Sequence, residues 1–545
     1  MRARYKACIL SLLVPLAAFG QRYRAVVGES VWTGSQNAAG WRAPDYSMEA
    51  LRPHVNVEDT DKSRDKIYGE ASLFGSYEDG GFKPPHGGRD VWTTGISASS
   101  LMDMFQTTFF GNVRFEQRNA QEMMGSVFIQ PGKYPIDVLE FTPGPKTRQT
   151  YSVSGGFARE VGVNWLFGLQ ADIDASNYAK RKDIRHTNYA LDLSVSPGIL
   201  YHWGIMPGDV DLDLGLSYQF RKTSESVDAE QVGAASSDSY YAFFDKGMSY
   251  GTYQVWDGAG IHLDEAGVGL LPVKEISHGG AVQACLQSMF YMELGYDHTE
   301  GLVGEKGYDW FRFPGHKTHF DFTVKMPSEA FWEAYTLFFR AHTESRTQTL
   351  REAVMDKETS GGVTTPTVYG YNRVYRRKNG EEHYSVSMTG GNWHPLSQLQ
   401  LEYGRRPGQE YSTLTYPYVD TLSTTVNHLE LSGRFNLYSG YYYSGRARWA
   451  LSFRLRGQWG SCHEQGLVAT DASAVPESEP FRLTSDWVRK REYMTAPRIV
   501  SGVAIRRDFR PGFYLEASGS YTRAFRLEYL DSDRWSTMLK IGCDF

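Results

Sequence analysis

The stretch from Arg446 to Gly460, RARWALSFRLRGQWG, constrains this chain more than any other. Taken alternately, its residues separate into two surfaces. Ala447, Trp449, Leu451, Phe453, Leu455 and Trp459 make one; Arg446, Arg448, Ser452, Arg454, Arg456 and Gln458 make the other. A period of two is the mark of a β-strand, whose successive side chains point to opposite faces. A soluble sandwich would set the apolar row against a core and the polar row against bulk water. Four arginines and two tryptophans on so short a strand fit hydrocarbon on one side and a wet lumen on the other.

The pattern recurs along the chain. Val163, Trp165, Phe167, Leu169, Ala171 and Ile173 oppose Asn164, Gln170, Asp172 and Asp174; Leu191, Leu193, Val195 and Ile199 oppose Asp192, Ser194 and Ser196. Val210, Leu212, Leu214, Leu216, Tyr218 and Phe220 oppose Asp209, Asp211, Asp213, Ser217 and Gln219. The last strand, with Trp535, Leu539, Ile541 and Phe545 on one face, ends on an aromatic residue, as outer-membrane barrels do at their assembly signal. A mean hydropathy of −0.45 beside 35 tyrosines follows if half of every strand faces water. No apolar run reaches the roughly 20 residues of a membrane-spanning helix. The expected fold is all-β: a closed antiparallel transmembrane β-barrel of about 18 strands, between about 16 and 20.

Short turns at 204–208, 326–328, 394–397, 438–440 and 509–512 alternate with long loops at 223–247, 346–381 and 461–489. Tight periplasmic turns and long external loops are the outer-membrane arrangement. Residues 118–148 carry Pro131, Pro135, Pro143 and Pro145, which a paired strand interior tolerates poorly, so they are expected as an external loop folded into the barrel mouth. Residues 1–20 have a basic start (Arg2, Arg4, Lys6), an apolar run and a small-x-small end at Ala18-Phe19-Gly20, a secretory signal peptide. Residues 21–65 lack periodicity and are expected as a periplasmic arm, leaving 66–545 for the barrel.

The formal charge of −6 gives no nucleic-acid footprint. Cys285, Cys462 and Cys543 show no metal-like spacing, and no cofactor or metal is expected. No nucleophile elbow, HExxH or phosphate loop is present, so no catalytic residue is assigned. His342, His383 and Asp356 are read as solvated rim residues. The sharper feature is inward charge: an acidic wall of Asp172, Asp174, Asp192, Asp209, Asp211 and Asp213, and a basic wall of Arg434, Arg446, Arg448, Arg454 and Arg456 about half a circumference away. Such walls place a transverse field across a lumen. The competing reading is that Glu402 and Glu430, on adjoining strands, neutralise the arginines.

Several stretches resemble a Bacteroidota family of outer-membrane β-barrels without assigned function. They are TTFFGNVRFEQ (107–117), TYSVSGGFA (150–158), WLFGLQADI (165–173), DLSVSPGILYHWG (192–204) and GVGLLPVKEISHGGAVQA (267–284). The resemblance implies a companion of TonB-dependent uptake systems, accessory to nutrient or metal acquisition. Outer-membrane lipid is then the medium, and a TonB-dependent receptor or a surface lipoprotein the partner. The expected function is a non-enzymatic channel or uptake accessory in the bacterial outer membrane. Its alternatives are a plugged barrel acting as adhesin or assembly partner, or an enzyme active at the rim.

Overall fold

The computed structural model describes residues 66–544 apart from 105–106, 163, 183–184, 205–210, 231–241, 248–267, 287–289, 306–307, 327–334, 361–362, 390–395, 414–420, 439–447, 466–482 and 510–511. The expected signal peptide and arm, together with Asp209, Arg446 and Phe545, lie outside the described residues. The first strands are β1 (Lys66–Gly80), β2 (Arg89–Met104), β3 (Thr107–Ser126), β4 (Asp137–Val161), β5 (Trp165–Lys180), β6 (Arg185–Gly204) and β7 (Asp211–Glu230). Then come β8 (Ala242–Asp245), β9 (Val268–Leu286), β10 (Phe290–Glu305), β11 (Tyr308–Arg312), β12 (Gly315–Met326), β13 (Thr336–Ser360) and β14 (Val363–Thr389). The last are β15 (Leu396–Ser412), β16 (Thr421–Tyr438), β17 (Arg448–Gln465), helix α1 (Leu483–Thr495), β18 (Arg498–Asp508), β19 (Phe513–Ala524) and β20 (Asp533–Asp544).

Eighteen of these strands form one antiparallel ring. Each pairs with the next in sequence, except that β7 passes directly to β9 and β10 to β12. The ring closes where β20 meets β1, from Glu70↔Asp544 to Gly80↔Arg534. The expected strand number is therefore met. Closure matters because a sheet edge in hydrocarbon leaves its N–H and C=O groups without partners.

The outward rows are apolar around the whole circumference, with Leu73, Leu294, Leu455 and Val503 each at least half exposed on the isolated barrel. Aromatic clusters edge this band. Tyr77 packs against Trp92 and Trp535 at the external side, and Trp165 against Tyr201 at the periplasmic side. Trp449 and Trp459 lie ten residues apart on β17. At about 3.3 Å per residue and a tilt of about 40° they span about 25 Å, the height of a barrel's apolar band. No helix among the described residues is long and apolar enough to cross a membrane; the crossing is made by strands. The protein is an outer-membrane β-barrel.

Four expectations about loops change. Within 223–247, β7 runs on to Glu230 and β8 forms, and within 461–489, β17 runs on to Gln465 and helix α1 starts at Leu483. Residues 346–381 are mostly strand, because β13 and β14 stay paired to Ser360↔Val363 through two register shifts. The hairpin projects beyond the bilayer, where neither face needs apolar residues, so the alternation that betrays the other strands is missing. The 118–148 segment is likewise partly strand: β3 runs to Ser126 and β4 starts at Asp137. Pro143 and Pro145 are accommodated beyond the end of β5, where β4 lacks its second barrel neighbour.

The connection 127–136 turns inward and is largely buried. Its Ile129 N–H donates to Glu225 on β7, Lys133 pairs with Asp192 on β6 at 3.2 Å, and Arg377 on β14 donates to the carbonyls of Gly132 and Lys133. β14 stands eight places from β4 around the ring, so this loop crosses the lumen. A second segment crosses beside it. β8 pairs with the start of β4, and Lys246 reaches Glu352 on β13 at 2.7 Å. Below them Glu140 is clamped between Lys146 and Lys180, both ammonium groups fully buried.

Two tests follow from this layout. Leu455→Arg, on the lipid face near mid-strand, should cost about 2–4 kcal/mol and impair insertion into vesicles, whereas Ser452→Arg on the inward face should leave insertion intact. Asp137 faces Asp245 across the β4–β8 pair, and burial followed by that carboxylate lifts it to about 7 despite the Ser126 hydroxyl. An acid with a raised pKa holds its proton when docked and sheds it when released. Docking of β8 should thus weaken as pH rises from about 4 through about 7. Hydrogen exchange of 242–247, corrected for intrinsic rates, should speed up across that window, and Asp137→Asn should flatten the response.

Candidate functional site

The inward rows carry the chemistry. Of the expected acidic wall, Asp192 is held by Lys133 and by Arg221, whose Nε donates at 2.7 Å. Asp172 accepts from Gln170 and Ser194, and Asp213 lies 2.6 Å from His202 Nδ1. Asp174 is exposed, and Asp211 lies on β7. Of the basic wall, Arg454 and Arg456 both reach Glu430, at 2.8 and 2.5 Å. Arg434 lies on β16 and Arg448 on β17. β6, which carries Asp192, and β17, which carries Arg454 and Arg456, stand nine strands apart in the ring of eighteen. Glu430 takes two arginines, as the competing reading anticipates; Glu402 goes elsewhere.

Between the β1–β2 turn, the 127–136 loop, β17–β18 and β20 lies a cavity of about 520 Å³. Seven cationic side chains line it (Arg118, Lys146, Arg148, Arg454, Arg456, Arg498 and Arg534), against one lining carboxylate, Glu78. Among the described residues, the carboxylates paired with these cations number four: Glu78, Glu116, Glu140 and Glu430. Arg498 is fixed by stacking, its guanidinium 5.2 Å from the Phe82 ring and 4.9 Å from Tyr493, and it donates to the Tyr493 carbonyl. Helix α1 holds this arrangement, because Glu492 accepts from the N–H groups of Tyr529 and Leu530, and Arg491 pairs with Glu464. The positive field registers on the loop beside the cavity. Burial, then Lys490, Lys146, Lys83 and Arg118, hold His86 down to about 4. Arg118 Nε is buried there with no hydrogen-bond partner.

A second feature runs around the lumen from β10 to the edge of this cavity. Strand register aligns Glu293, Asp321, His342, His383, Gly404, His428, Gln458 and Arg498 in one lumen row across β10 and β12–β18. Two clusters in and beside it bring imidazoles and carboxylates together. In one, Glu402 touches both His383 and His428; in the other, Glu293 touches His319, with Asp321 adjoining. Glu293 also accepts from Gln283 and Tyr291. His319 Nδ1 is buried without a hydrogen-bond partner. Each cluster has a glycine two residues beyond its carboxylate on the same strand: a Cβ at Gly295 would lie 2.0 Å from His319, and one at Gly404 2.0 Å from His428.

These clusters correct the expectation of solvated rim histidines. His342 lies 2.7 Å from Asp321 and His383 lies 2.7 Å from Glu381, both in the periplasmic halves of their strands; Asp356 alone sits on the external hairpin. His319, His428, Glu293 and Glu402 were not singled out as ligands, because each strand contributes one or two residues and no spacing motif exists. The signal that could find them is phase: His319, His342, His383 and His428 fall on inward positions of β12, β13, β14 and β16.

No curated protein matches the sequence. Solved structures similar to it include the RagAB peptide importer in its closed-closed state, at 9% identity and TM-score 0.42, covering 88% of this chain and 76% of that one. BauA, the ferric preacinetobactin receptor from Acinetobacter baumannii, matches at 8% identity and TM-score 0.40, covering 88% and 80%. The ferripyoverdine receptor of Pseudomonas aeruginosa matches at 10% identity and TM-score 0.35, covering 88% and 72%. Residues 60–545 match DUF6850, a family of unknown function, and the chain belongs to that family.

Proposed function

We propose that this barrel serves uptake across the outer membrane and that its external vestibule receives anionic solutes. The observation that carries the reading is the cationic cavity, with seven cations on its wall against four paired carboxylates. Its volume of about 520 Å³ is in the range of small-ligand pockets. Guanidinium groups already positioned by stacking and ion pairs bind a carboxylate or phosphate with little further ordering. An eighteen-stranded ring is wide enough for an aqueous path, which the crossing segments narrow. An accessory role beside a TonB-dependent receptor or a surface lipoprotein is the finer part of the proposal. The β13–β14 hairpin, projecting past the bilayer with Tyr369 exposed, is the arm such a partner would meet.

The crossing loops favour a second reading, a barrel plugged by residues 127–136 and 242–247 and working as an adhesin or assembly partner. Planar-bilayer recordings separate the two. The uptake reading expects stepwise openings with anion preference, and a reversal potential that moves toward cations in Arg498→Gln/Arg118→Gln while the barrel stays folded. Cation preference in the wild type, or no shift in the double variant, contradicts it. A folded barrel that never conducts supports the plugged reading.

A further inference from the structure

The histidine–carboxylate cluster on β14, β15 and β16 has the make-up of a metal centre. Glu402 Oε1 lies 3.2 Å from His383 Nδ1 and 3.1 Å from His428 Nε2, and the three ligand atoms all fall within 4.8 Å of one another. For metal–ligand bonds of about 2.0–2.1 Å, the edge of a tetrahedron is about 3.3 Å. The two edges that meet at Glu402 Oε1 are thus already close to that length, and the third, between the two imidazole nitrogens, is no longer than 4.8 Å.

Hydrogen bonds alone could hold two imidazoles on one carboxylate. Three further features point past that. The far nitrogen of His383 faces Glu381 at 2.7 Å, and Glu381 is held in turn by Arg406 at 3.0 Å. The far oxygen of Glu402 accepts from Gln400 at 3.1 Å. Two of the three donors therefore have an outer partner that fixes their orientation, the arrangement found around metal ligands, where a carboxylate on the distal nitrogen leaves the other free for the ion. Finally, the His428 ring occupies space that any side chain at position 404 would fill, since a Cβ there would lie 2.0 Å from its Cε1. His428 is nearly buried while Glu402 and His383 stay partly open to the lumen.

We propose that His383, Glu402 and His428 bind a divalent first-row transition-metal ion, with the remaining coordination positions open to the lumen. Two imidazoles and one carboxylate suit zinc, nickel or copper, whereas calcium and magnesium take oxygen ligands. A three-residue site with open positions exchanges its ion and any accompanying small ligand, unlike a closed structural site. The proposal does not depend on the anion-uptake reading, which concerns the arginine cavity.

Zn²⁺ is the probe. The chelator-treated full-length barrel is titrated calorimetrically in detergent, and Co²⁺ absorption reports the ligand set. All variants are made in a His319→Asn background, so that the Glu293–His319–Asp321 cluster does not contribute. One Zn²⁺ per barrel is expected, with binding lost in His428→Asn and in Glu402→Gln. Glu381→Gln, which removes only an outer partner, should weaken binding about 10–100-fold. Gly404→Ala keeps every ligand but displaces the imidazole, and should also weaken it. Heat-modifiable migration on gels confirms that each barrel is folded; if a ligand variant fails that check, Glu381→Gln and Gly404→Ala decide. Absence of Zn²⁺ binding in the background protein, or binding that the folded variants leave unchanged, overturns the proposal.

Discussion

In hydrocarbon every strand edge must be paired, and the closure of β20 onto β1 is what makes the other seventeen pairings possible in a membrane. Once the ring is closed, the pleat decides everything else. Each outward side chain must be apolar, and each inward one meets water or another part of the chain. The register then acts as an address. Because β10 and β12–β18 are aligned residue by residue, one row brings Glu293 and Arg498 into the same belt although more than 200 residues separate them. A slip of one position on any of these strands would turn its lumen charges into the lipid.

The inward charges are then used twice. Some anchor the crossing segments: Asp192 holds Lys133, Glu352 holds Lys246, and Glu140 takes two buried lysines. Removing one partner of such a buried pair strands a charge, at about 3–5 kcal/mol, so these contacts specify where the loops dock more than they add net stability. Others line open space. The arginines of the external cavity outnumber the carboxylates they touch, and two imidazoles of β14 and β16 converge on one carboxylate oxygen of Glu402. Together they give the lumen two chemically distinct stations, basic at the vestibule and nitrogen–oxygen mixed along β10–β16.

What could be read from the sequence is what depends on neighbours two residues apart. The alternation on β5, β6, β7 and β17 is local, so inside, outside and strand number were legible. The β13–β14 hairpin was not, because polarity carries no phase once the strand leaves the bilayer; the sequence at its tip, KETSGGVTT, looks like any loop. Glu430 was correctly seen as a neutraliser of arginines, since its place opposite Arg456 follows from hairpin order. Glu402 was not seen as a histidine partner. His383 and His428 lie 19 and 26 residues away from it on separate strands, and only the register shows that they meet.

The central claim, that one face of each strand meets lipid and the other a polar lumen, is tested most directly on β17. Spin labels placed singly from Trp449 to Trp459 in the barrel reconstituted in vesicles would be read for collision with oxygen, which concentrates in lipid, and with a water-soluble nickel chelate. The account predicts a period of two, with oxygen contact greatest at 449, 451, 453, 455 and 459, and nickel contact greatest at 450, 452, 454, 456 and 458. A profile without that period, or with the two phases exchanged, would contradict it.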